Sequence, residues 1–220
     1  MTTTKANEIL HILKNNFSLP KWTSSERTPF QTLIVTIISQ NTTGRNTAKA
    51  FERLSEKFKI TPEVLSKADE KEIEDALRVA GLFRNKAKTI KKISQIILER
   101  FNGSLDFIYS MPFEEARKTL LTLPGVGPKT ADVVLLFSAG KSTIPVDTHV
   151  NRVSKRLGLA PVNADYEGVR TALQSLYVSE DFLAMHLLLI ALGRECCKAL
   201  KPICRQCPVN SLCPSKRTED

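Results

Sequence analysis

Apolar residues recur at helical spacing along most of this chain. Over 86–101, Ala87, Ile90, Ile93, Ile97 and Phe101 return every three or four residues, while Lys86, Lys88, Lys91 and Lys92 crowd the start. The same period predicts helices over 5–16, 30–40, 45–57, 62–67, 70–80, 113–121, 128–139, 148–157, 166–177 and 181–199. Thr61-Pro62 and Met111-Pro112 put proline near a first turn, and Asp69 and Asp165 stand where N-caps belong. The stretches 33–38 and 133–137 are β-branched, yet each continues a longer helical pattern, and no strand alternation stands out. The predicted fold is all-α, with about ten or eleven helices and short connections. There is no internal repeat, and the polar residues 214–220 are expected to fray.

Composition narrows the class. Of 220 residues, 42% are hydrophobic and 25% charged, enough for a real core and unlike a disordered tail. No apolar run approaches the ~18–20 residues of a bilayer span, so no membrane partner is expected. The stretch 1–8 has no apolar segment of the kind a secretory signal carries, which leads us to expect a cytoplasmic, reducing compartment. Five cysteines then call for something other than structural disulfides. A net charge of +9 suits a polyanion, because neutralised phosphates release counterions, although an indifferent basic surface has the same charge.

Between helices 113–121 and 128–139 lies Leu123-Pro124-Gly125-Val126-Gly127. Two glycines one residue apart free the backbone to turn sharply and to expose consecutive N–H groups. Pro124 stiffens the entry, and Leu123 and Val126 can anchor the loop to a core. Amides exposed at the following helix N-terminus make a seat for a phosphate. A tight turn between helices with no ligand is the plainer alternative.

Near the C-terminus, Cys197, Cys204, Cys207 and Cys213 form C-x6-C-x2-C-x5-C. Four thiols so close in a reducing compartment point to a metal, and their spacing admits either tetrahedral zinc or an iron–sulfur cluster. Lys198 and Lys201 lie between the first two thiols, where a stapled loop can present them to phosphates; a purely structural staple is the alternative.

Leu123–Gly127 resembles the hairpin of helix–hairpin–helix DNA-binding motifs. Together with Lys129-Thr130-Ala131 and Val146-Asp147-Thr148-His149-Val150-Asn151-Arg152-Val153, it makes the chain closely similar to the endonuclease III family of DNA glycosylases, from Pro29-Phe30 through Cys213. In the first turn of its helix, Lys129 sits where the positive end of the helix dipole disfavours an ammonium. A neutral amine beside a DNA sugar can attack C1′, displace the base and form a Schiff base, whose acidified C2′ proton permits β-elimination. A solvated surface lysine is the ordinary alternative. Asp147 is the natural partner: helix 128–139 carries the chain about 17 Å away, and residues 140–146 can span ~23 Å back. Asp147 also suits an N-cap of helix 148–157.

The resemblance implies more. Asp147 would help activate the lysine or a water and stabilise charge on the sugar. Cys197, Cys204, Cys207 and Cys213 would bind a 4Fe–4S cluster, with Cys196 a small buried residue rather than a fifth ligand because the family ligand aligns with Cys197, and a monovalent cation would sit at the hairpin. The DNA contacts would come from Gln40, Leu82, Gly125, Val126, Gly127, Lys198 and Lys201, with Gln40 and Leu82 inserted into the stack when a nucleotide is flipped out. For Leu82, a place in the core is the alternative. The partner would be double-stranded DNA with a damaged base or an abasic site, bound by a monomer associated with the nucleoid. Two helical subdomains, 23–137 and 1–22 joined to 138–220, would flank the DNA cleft. The implied reaction removes oxidised pyrimidines and then cuts the strand as an AP lyase. Rivals are a monofunctional mismatch glycosylase acting on thymine, uracil or adenine, which usually lacks a lysine at position 129, and a non-catalytic DNA-binding iron–sulfur protein. Thr43 stands where an aspartate is common and Pro128 where many members have arginine, leaving base preference open.

Overall fold

The structure, a computed structural model, describes residues 2–19 and 27–217. Among them are twelve α-helices and no strand: α1 (Thr3–Asn16), α2 (Pro29–Ser39), α3 (Gly44–Lys57), α4 (Pro62–Lys67), α5 (Glu70–Leu77), α6 (Phe83–Phe101), α7 (Phe107–Ser110), α8 (Phe113–Leu121), α9 (Pro128–Ala139), α10 (Thr148–Leu157), α11 (Tyr166–Leu176) and α12 (Phe182–Glu195). The all-α expectation holds. The β-branched stretches are helical because α2 and α9 are buried over most of their surface, which removes the polar face that marks a half-exposed helix.

Local signals account for most helix starts. Asp69, Asp147 and Asp165 cap α5, α10 and α11 through side-chain oxygens that accept backbone N–H groups. Thr28 and Gln31 form a reciprocal capping box on α2. Thr43 caps α3 by accepting from the Asn46 amide at 3.2 Å. An aspartate would serve the same purpose, so the threonine there preserves the cap.

The chain divides into two compact units, Ser25–Lys141 and Met1–Ser24 with Ser142–Asp220. The sequence-derived boundary at 22/23, and the part of the frayed end at 218–220, lie outside the described residues. In the first unit, Leu33, Ile34, Ile37 and Ile38 of α2 pack with Ile90, Ile93 and Ile97 of α6 and Val134 and Leu135 of α9. In the second, Ile9 and Leu13 of α1 join Val150 and Val153 of α10, Leu173 of α11 and Leu188 and Leu192 of α12. Two polar ties hold α1 there: Tyr177 Oη donates to the Ala6 carbonyl at 3.2 Å, and Lys14 pairs with Asp181 at 2.6 Å.

Two predicted helices end earlier than expected, and one short helix is new. Helix 70–80 tightens into a 3-10 turn at Arg78–Ala80 before Gly81, which takes a left-handed φ of +65°. α7 was not anticipated; four residues carry no periodicity, and tertiary packing holds it, with the Phe101 and Phe107 rings 5.2 Å apart. Helix 181–199 stops at Glu195, because the amides of Cys196 and Cys197 both turn back to the Leu192 carbonyl, at 3.0 and 2.8 Å. No single helix among the described residues is long and apolar enough to cross a membrane.

Candidate functional site

The hairpin between α8 and α9 is anchored by its apolar residues. Leu123 and Val126 are buried, and the Val126 amide donates to the Leu123 carbonyl at 3.2 Å. Gly125 is required twice over: its φ is +72°, and a Cβ there would lie 2.8 Å from Thr89 Cγ2 of α6. Gly127 differs from the expectation of two turn-forming glycines. Its φ of −95° and ψ of 179° are extended backbone that any residue adopts. What it provides is room, since nothing lies within 4 Å of an added Cβ, and the first turn of α9 has no side-chain cap. This leaves the amide end of the helix accessible from that side.

Pro128 occupies the first position of α9 and Lys129 the second, half-buried. The flanking helices are clamped by an ion pair that sequence reasoning missed. Arg117 of α8 donates through Nε and Nη2 to the two carboxylate oxygens of Asp132 on α9, at 2.7 and 3.3 Å, with Asp132 fully buried. Its only signal in the sequence is a charge on an apolar helix.

Gln40 ends α2 and reaches the hairpin directly. Its Nε2 donates to the Gly125 carbonyl at 3.1 Å and lies 3.4 Å from Thr130 Oγ1. Leu82 caps the start of α6 with a left-handed φ of +47° and is 56% exposed. The reading of Leu82 as a core residue is therefore wrong: a leucine is held outward in a conformation that costs about 1–2 kcal/mol.

Asp147 lies in the other unit, as N-cap of α10, with Oδ1 accepting from the Val150 amide at 2.7 Å. In that unit too, Cys197, Cys204, Cys207 and Cys213 line one cavity, with Cys196 at its wall. Burial, together with neighbouring thiols, pushes the Cys207 thiol up to about 11 and raises Cys213 as well. No three His, Cys, Asp or Glu side chains among the described residues gather as they would around a single ion. Two arginines of α10 hold the loop. Arg156 donates to the carbonyls of Lys198 and Ala199, at 2.7 and 2.9 Å, and its Nη1 is 3.4 Å from Cys197 Sγ. Arg152 donates to the carbonyls of Cys197 and Gly193, at 2.9 and 3.0 Å. Lys198 and Lys201 remain exposed.

Residues 34–178 match the HhH-GPD superfamily of base excision DNA repair proteins. The chain is 39% identical to endonuclease III of Sulfolobus acidocaldarius over 188 residues, 85% of this chain and 82% of the other. With endonuclease III of Synechocystis sp. it shares 36% identity over 212 residues, 96% of this chain and 92% of the other. A trapped endonuclease III–DNA covalent intermediate superposes with a TM-score of 0.85 at 34% identity, covering 98% of this chain and 97% of that one. A thermostable thymine-DNA glycosylase, 22% identical with a TM-score of 0.73 over 96% of each chain, shares the fold. A family match over more than half of the chain, with relatives 36–39% identical over most of both chains, shows that the chain belongs to the endonuclease III family of base excision DNA repair proteins.

Proposed function

We propose that this chain is a bifunctional DNA glycosylase and AP lyase that removes oxidised pyrimidines from double-stranded DNA, acting as a cytoplasmic, nucleoid-associated monomer. The observation that carries this reading is the place of Lys129, at the second position of a helix whose uncapped amide end adjoins the glycine hairpin. The hairpin amides seat a phosphate, and the adjacent Lys129 Nζ faces the sugar of the extruded nucleotide. The Nζ lone pair attacks C1′, and the N-glycosidic bond breaks with its electron pair leaving on the base, which takes up a proton. Opening of the sugar ring gives an iminium. Loss of the C2′ proton then expels the 3′ phosphate, and water hydrolyses the imine to release Lys129.

Asp147 would bind charge developing on the sugar and assist proton transfer. Its cap on α10 fixes one carboxylate oxygen on the Val150 amide, so the group is held rigidly. Gln40 and Leu82 would fill the gap left by the nucleotide. Cys197, Cys204, Cys207 and Cys213 would hold a 4Fe–4S cluster, since four soft donors line one cavity. When bound, such a cluster supplies a covalent staple that presents Lys198 and Lys201 to the DNA backbone. A monovalent cation at the hairpin would share the Leu123 and Gly125 carbonyls with donors they already accept.

Borohydride trapping tests the chemistry. With abasic-site duplex, the wild type should form a covalent adduct that Lys129→Ala lacks, with turnover lower by about a thousandfold or more. Absence of an adduct from the wild type would refute the lyase.

A further inference from the structure

Lys86 is only 4% exposed, although it stands in the lysine-rich start of α6. Its Nζ donates to two main-chain carbonyls, Ile38 and Ala80, each at 2.9 Å. Both belong to the ends of helical segments, where carbonyls lose their partners within the helix. At the end of α2, Ser39 Oγ donates to the Thr36 carbonyl at 2.7 Å and the Gln40 amide to Ile37 at 3.2 Å, and Lys86 takes Ile38. In the 3-10 turn, the Gly81 amide donates to Arg78 at 3.4 Å, and Lys86 takes Ala80. The Lys86 amide itself donates to the Leu82 carbonyl at 3.0 Å. One residue therefore grips the backbone two positions before Gln40, two positions before Leu82, and at Leu82.

We propose that Lys86 is a positioning residue for nucleotide extrusion: it ties the turn carrying Gln40 to the turn carrying Leu82, so that both side chains enter the duplex as one rigid wedge. This rests on the reading above that Gln40 and Leu82 fill the vacated space. An ammonium buried among apolar side chains is costly, and burial lowers its proton affinity. Two carbonyls from separate segments offset that cost, and both would be left unpaired by an apolar replacement. The same stretch of α6 backs the hairpin, since Thr89, three residues on, is what a Cβ at Gly125 would strike. Leu82 needs such a hold more than most residues, because its left-handed backbone would relax if the turn were free.

The test compares two substrates under single-turnover conditions. One is a duplex with a single thymine glycol opposite adenine, which must be unstacked. The other is a single-stranded oligonucleotide with one abasic site, which needs no wedge. Relative to wild type, Lys86→Met should slow the duplex reaction about 30-fold and the single-stranded reaction less than about threefold. Adding Leu82→Ala to Lys86→Met should cost less than it does in the wild type, because the wedge is already loosened. A 2-aminopurine opposite the lesion should brighten less on binding the variant. Should Lys86→Met not fold, Lys86→Gln is measured in the same way, its two N–H donors and neutral end giving a smaller loss of the same pattern. Equal losses on both substrates, or fully additive losses with Leu82→Ala, overturn the proposal. A wild type that cleaves neither substrate overturns the underlying reading instead.

Discussion

The hairpin Leu123–Gly127 and the cysteine loop 197–213 are both irregular segments that follow a helix, but they are held by different means. Around the hairpin, every restraint comes from the protein's own packing: buried Leu123 and Val126, the Arg117–Asp132 pair between α8 and α9, Gln40 on the Gly125 carbonyl, and Thr89 beneath Gly125. The cysteine loop has only two short 3-10 turns, at Cys204–Gln206 and Asn210–Leu212, and Leu200 at its outer side is 85% exposed. Its order comes from buried Pro202 and Val209, partial packing of Leu212, Cys197, Cys207 and Cys213 on the core of that unit, the Ile203 amide on the Cys196 carbonyl, arginine donors on its carbonyls, and the Asn210 side chain on the Cys204 carbonyl. A phosphate seat of backbone amides, as proposed for the hairpin, has to be preorganised before DNA arrives, whereas a loop proposed to hold a cluster would acquire its geometry with that ligand.

The comparison is broken most severely on the hairpin side. Asp132→Asn leaves Arg117 buried against a neutral amide, and the loss should be about 3–5 kcal/mol in chemical denaturation. The cysteine cavity should remain competent to take up iron and sulfide, which visible absorbance reads. The reciprocal variant, Cys207→Ser, should prevent that uptake and expose 198–206 to proteolysis while leaving the hairpin unit protected in hydrogen exchange. Equal protection losses in both units would show that the two regions are not held independently. Smallest is Gly125→Ala, where a positive φ and the Thr89 contact should cost about 1–2 kcal/mol and weaken DNA affinity. An unchanged melting temperature there would mean that the turn rearranges at no cost.

Much of this was legible in the residues. Helical spacing predicted α8 and α10 to their ends and the C-terminal end of α6, because an amphipathic helix writes its buried face into local order. Asp69 and Asp165 were readable as caps for the same reason: the oxygen and the amide it accepts from are two or three residues apart. That the four cysteines meet at one cavity was readable from their spacing, since residues a few positions apart in one loop stay close in space. Gly127 was misread because a second glycine near a turn resembles the first, and only the backbone angles separate one that needs a positive φ from one that leaves room.

By itself, then, the sequence determined the helical class, the cysteine set and the adjacency of Lys129 to a glycine hairpin, all of which depend on neighbours within a few turns of chain. The tertiary structure alone decided which charged residues go inside. Arg117 meets Asp132 across 15 residues, and Lys86 meets Ile38 across 48. In the sequence, Lys86 looks no different from Lys88 or Lys92, because the helical period shows which face a residue occupies but not what packs over it. Burial of a charge is settled by the partners that distant segments bring to it, and those partners exist only once the chain has folded.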